Sequence, residues 1–171
     1  MDKRFFGKIN IKDNAIKLMV DVDLFVSDLP IFFACSDDED NNYLVELLDE
    51  EASKYLIVRI KTKDILLMLD GSRTIFDSLK KGDKSWVVVE SEDEVNVYDV
   101  EREILPSKIP NKLLPDKDLN YPFNFHLLSN YIEELCEDIK GRYGKVSTAY
   151  RDAITIYNYL KEKGFLDTID M

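Results

Sequence analysis

Residues 16–26 alternate without a break. Ile16, Leu18, Val20, Val22, Leu24 and Val26 fall on one face of an extended chain, and Lys17, Met19, Asp21, Asp23 and Phe25 fall on the other. Successive side chains of a strand point to opposite sides, so period two over this length predicts a β-strand with one buried face. Residues 5–12 alternate as well, with Ile9 and Ile11 on one face, and Asp13-Asn14 supplies turn chemistry. A long β-hairpin is therefore expected over residues 4–26.

The same reading continues along the chain. Residues 31–35 and 43–48 form short apolar strands, joined by the polar loop Ser36-Asp37-Asp38-Glu39-Asp40-Asn41-Asn42. Residues 55–60 form a fifth strand. Residues 63–70 fit a helical turn stopped by Gly71, and residues 74–81 a second short helix ending at Gly82. Residues 86–89 and 95–100 make a further hairpin with Glu90-Ser91-Glu92-Asp93-Glu94 at its tip. Four of the five prolines then fall between positions 106 and 122. Such a stretch is neither helix nor inner strand. Ile104, Leu105, Ile109, Leu113, Leu114 and Tyr121 let it dock as an ordered connector. In the last third, Phe125, Leu128, Ile132, Leu135, Cys136 and Ile139 make one helical stripe, ended by Gly141 and Gly144. Ser147 caps a second helix, striped by Ala153, Ile154, Tyr157 and Leu160. The fold class expected is α+β: an antiparallel β-sheet of about seven strands, two short helices and a C-terminal helical hairpin. Its parts are a β-rich domain (1–105), a proline-rich connector (106–123) and the hairpin (124–171). The hairpin would pack on the first domain or on a second copy of the chain.

Composition narrows the function. The chain has 171 residues and a formal net charge of −11. Two blocks, residues 36–60 and 90–103, carry more than the whole of that charge. No Lys/Arg cluster offers a face for phosphates, so neither direct nucleic-acid binding nor an anionic membrane surface is expected. No apolar run approaches the roughly 20 residues of a membrane span, and no signal peptide is visible. With only two cysteines, a cytoplasmic protein with reduced thiols is expected.

Catalytic patterns are scarce, and no cofactor is expected. His126 is the sole histidine. Cys136 follows ten positions later on the same expected helix, about 15 Å along its axis, so the two cannot meet. Asp38, Asp40 and Asn42 have the spacing of calcium-loop ligands, but Tyr43 stands where the turn glycine belongs and Asp49 where the bidentate glutamate belongs. Gly141-Arg142-Tyr143-Gly144-Lys145 lacks the spacing of a phosphate loop. Asp21 and Asp23 could hold a divalent metal in a small phosphoesterase, and this is the enzymatic alternative.

Residues 23–82 also carry Asp28-x-Pro30-x-Phe32, a polar turn, Tyr43-Leu44, a strand, two short helices and a glycine. This stretch resembles a family of small uncharacterised bacterial and phage proteins, a domain of unknown function. Asn41-Asn42 replaces that pattern's usual turn glycine. The resemblance implies a β-rich module with no known active site, often in phage-linked or mobile genes.

The expected function is therefore non-enzymatic: an acidic interaction protein, an inhibitor or regulator that binds a basic protein surface. The carboxylates expected to carry it are Asp37, Asp38, Glu39 and Asp40 on one tip and Glu90, Glu92, Asp93 and Glu94 on the other, both on one sheet. An assembly subunit, homo-oligomeric through the C-terminal helices, is the other alternative.

Overall fold

The structure is a computed structural model and describes residues 3–12, 14–143 and 158. Seven strands are present: β1 (Arg4–Ile11), β2 (Asn14–Val26), β3 (Pro30–Ser36), β4 (Asn42–Asp49), β5 (Lys54–Ile60), β6 (Lys84–Glu90) and β7 (Val97–Ile104). Helices α1 (Thr62–Leu69) and α2 (Ile75–Lys80) lie between β5 and β6, and α3 (Phe125–Tyr143) follows the connector. Among the described residues no helix is long and apolar enough to cross a membrane.

The expected open antiparallel sheet is overturned. Each strand from β2 to β7 runs antiparallel to the one before it. The first and last strands then join in parallel, pairing Lys8 with Val97, Ile9 with Tyr98 and Asn10 with Asp99. The sheet is a closed, mixed barrel. Closure gives the two outer strands of a twisted sheet a partner and leaves room for one layer of side chains inside. Phe6, Leu18, Phe33, Tyr43, Trp86 and Tyr98 are among the residues that fill it. Gly7 permits the join, since a Cβ there would lie 2.5 Å from the Tyr98 ring.

The single apolar face expected for residues 16–26 is also split in two. Val20 pairs with Cys35 but Val22 pairs with Ala34, so Asp21 is an extra residue in the ladder. Such a bulge shifts the side-chain parity of the strand. Leu18 and Val20 belong to the barrel interior. Val22 and Leu24 belong to a second apolar layer on the outside. There, outward residues of the middle strands, such as Phe32, Leu44, Leu56 and Val87, meet Leu66 and Leu69 of α1, Leu79 of α2, Tyr121 of the connector, and Leu128 and Ile132 of α3. Strands covered on both faces read as continuous apolar runs rather than alternations. This accounts for residues 31–35, 43–48 and 86–89.

The helices follow local signals. Thr74 caps α2, its Oγ1 accepting the Asp77 N–H at 3.1 Å. Asn124 does the same for α3, accepting the Leu127 N–H at 3.0 Å. Helix α3 runs through Gly141 to Tyr143, beyond the expected stop at Gly141. Apart from Asn158, which is helical, the second helix of the expected hairpin lies outside the described residues, as do the side chains of Leu135, Cys136 and Ile139.

Candidate functional site

The two acidic tips do not share a surface. Three reversals of direction separate β3 from β6, through β4 and β5, so these strands run oppositely. The turn leaving β3 therefore lies at one end of the barrel and the turn leaving β6 at the other.

At the first end, Asp37 faces inward and is only 8% exposed. Its Oδ1 accepts the N–H groups of Glu39 and Asn41, each at 2.9 Å. Its Oδ2 accepts the Asn41 side-chain amide at 3.0 Å and the Tyr43 hydroxyl at 2.7 Å. The Tyr43 phenol is pushed well up, first by burial and then by this bond and the Asp37 charge. Asp37 is thus an internal brace of the turn, which also holds Asp40 at a φ of 61°. Asp38 and Glu39 remain exposed.

At the other end, the β6–β7 turn lies beside the β4–β5 turn, and the Glu90 N–H donates to Ser53 O at 3.1 Å. Neither turn contains a Lys or Arg across residues 49–53 and 90–96. Asp49, Glu50 and Glu51 thereby join Glu92, Asp93 and Glu94, all exposed. Glu90 is half-buried and its Oε2 accepts the Asn96 N–H at 3.0 Å. Val95, 81% exposed, projects from the same turn. Beneath these carboxylates is an aromatic floor. Phe6 stacks on Tyr98 with centroids 4.8 Å apart and meets Tyr55 edge-on at 5.0 Å. Both phenols are pushed up by burial, with a further push from the Glu90 charge. The excess acidity of residues 36–60 was the sequence signal for Asp49, Glu50 and Glu51. Their place beside the second tip depends on strand pairing.

Asp21 is buried, whereas Asp23 stays partly exposed. Asp21 is 9% exposed. Its Oδ1 accepts the Ser36 hydroxyl at 2.9 Å and lies 3.3 Å from Lys3 Nζ. Asp23 takes two bonds from the Arg4 guanidinium, both at 2.7 Å. Among the described residues no three His, Cys, Asp or Glu side chains gather as metal ligands. Cys35 is buried, and burial, followed by the Asp21 charge, pushes its thiol up. His126 is exposed at the start of α3. Gly141, Arg142 and Tyr143 are helical rather than a loop.

One ionisable residue was invisible to sequence patterns. Glu46 points into the outer apolar layer, and burial pushes its carboxyl up to about 8. Comparison of the chain with protein-family models, curated protein sequences and solved structures finds no match.

Proposed function

We propose that this protein is a non-enzymatic inhibitor or regulator that engages a basic protein surface through the acidic end of its barrel. The observation that carries the reading is the convergence of the β4–β5 and β6–β7 turns. They place Asp49, Glu50, Glu51, Glu92, Asp93 and Glu94 together, with no basic residue in either turn. Like charges held at one end of a rigid body repel one another and cost stability, and an oppositely charged partner relieves that cost. Such complementarity speeds encounter and makes it salt-sensitive. The phosphoesterase alternative draws no support from Asp21 and Asp23, whose carboxylates are engaged by Ser36, Lys3 and Arg4.

The test uses a fluorescent Arg/Lys-rich peptide as probe, at low and at physiological salt. Replacing Glu50, Glu51, Glu92, Asp93 and Glu94 by their amides should cut association at low salt about tenfold or more and flatten its salt dependence. The control replaces Asp38 and Glu39 at the opposite end and should leave both nearly unchanged. Equal losses per charge removed in the two variants would show that net charge alone is at work and would overturn the reading.

A further inference from the structure

Glu46 sits mid-strand on β4, paired across the ladder with Phe32 of β3 and Leu56 of β5. Phe32 is 4% exposed and Leu56 not at all. The Glu46 Oε2 atom is shut off from solvent and has no hydrogen-bond partner among the described residues. A carboxylate in that position would be uncompensated. Phe32 in turn stacks on Phe25, with centroids 6.0 Å apart, and Phe25 packs on Tyr121 at 5.2 Å. Tyr121 belongs to the proline-rich connector, and its hydroxyl donates to Leu24 O at 3.0 Å. Glu46 is therefore next to the base of the aromatic stack that fastens the connector to the barrel.

Among the described residues no Lys or Arg side chain bonds to the Glu46 Oε2 atom. Lys54, two positions from Leu56 on β5, is engaged by Glu101 at 2.9 Å. Asp64 on α1 is held by Arg73 at 2.6 Å. Glu133 and Glu134 on α3 are half-buried and carry the wrong sign to stabilise a second carboxylate. The connector carries Lys108, Lys112, Asp116, Lys117 and Asp118, all exposed, and Tyr121, whose phenol is pushed up by burial.

We propose that Glu46 is a protonation latch for the connector: its neutral acid is accommodated beneath the aromatic stack, and its ionisation loosens residues 105–124 while the barrel stays closed. Burial in the closed arrangement pushes the carboxyl up to about 8, above the ordinary 4.5 that it would approach once solvent reaches it. The docked state therefore binds the proton more tightly. Docking is strongest below the lower value, weakens about tenfold per pH unit between the two, and levels off above the higher one.

The test is amide hydrogen exchange of the full chain from pH 5 to pH 8, corrected for intrinsic rates. In the wild type, protection of residues 105–124 should fall with pH by up to about tenfold per unit, while the barrel strands keep theirs. In Glu46→Gln the connector profile should be flat. In Glu46→Leu it should be flat and more protected. A wild-type connector whose protection does not change with pH overturns the proposal, as does one that loses protection together with the barrel. So does a Glu46→Gln profile that matches the wild type. The wild-type arms stand even if a variant does not fold.

Discussion

Asp37→Ala separates a bracing carboxylate from a displayed one. The substitution removes the acceptor of four hydrogen bonds. Three of the stranded donors belong to Glu39, exposed, and Asn41, half-buried, and these can turn to water. The fourth is the Tyr43 hydroxyl, on a residue 1% exposed, and it cannot. A hydrogen bond to a charged group contributes about 1.5–3 kcal/mol, and an orphaned buried hydroxyl costs about 1–3 kcal/mol. The expected loss is about 3 kcal/mol, a fall in Tm on the order of 10 °C for a chain of this size. Tyr43→Phe removes the orphan instead and should cost only about 1 kcal/mol. The double variant should therefore lose at least about 1 kcal/mol less than the sum of the singles. Urea unfolding of the four proteins measures this directly. Exposed Glu92→Gln, within about 0.5 kcal/mol of wild type, is the internal control. An Asp37→Ala protein as stable as that control, or a strictly additive double variant, would refute the bracing argument.

Asp21→Asn should lower the urea midpoint by the equivalent of about 1–3 kcal/mol, because it removes the charge that faces Lys3 and that accepts the Ser36 hydroxyl at the β2 bulge. An unchanged midpoint would mean that the bulge does not depend on that pairing. Gly7→Ala should cost about 1–3 kcal/mol in thermal unfolding, since its Cβ would overlap the Tyr98 ring, itself stacked on Phe6. A neutral result would mean that the ring can move and that the β1–β7 seam is loosely packed.

Much of the strand and helix inventory was legible in the sequence, because it rests on local period and local caps. The hairpin of β1 and β2, the polar turn after β3, the short helix α2 and the Leu128 and Ile132 part of the α3 stripe all belong to that class. Three features were not legible, each for a non-local reason. The bulge at Asp21 leaves the alternation of residues 16–26 intact while turning Val22 and Leu24 to the other side of the sheet, and only pairing with Cys35 and Ala34 reveals it. Closure depends on three parallel pairs between residues nearly ninety positions apart, Lys8 with Val97 and its two neighbours. The end of β7 was hidden as well: residues 101–103 are charged and exposed, so no apolar alternation marks them as strand.

The candidate site shows why composition alone could not locate it. The loops 37–40 and 90–94 look alike as strings of carboxylates. Two physical differences separate them. The first is burial: Asp37 turns in to the Tyr43 hydroxyl, whereas in the β6–β7 turn Glu90 alone accepts a backbone N–H and Glu92, Asp93 and Glu94 stay exposed. The second is direction. Between β5 and β6 the chain passes through α1 and α2, and a two-helix connection can return the next strand parallel or antiparallel. An antiparallel return, seen in the pairing of Ile57 with Trp86, sends the β6–β7 turn to the end opposite the β3–β4 turn. A parallel return would have put both acidic tips at one end and left Asp49, Glu50 and Glu51 alone at the other. The charge that matters for binding is the charge one partner can reach at once, because interactions beyond about 10 Å are screened at ordinary salt. Strand direction, rather than the count of acidic residues, therefore decides which carboxylates can act together.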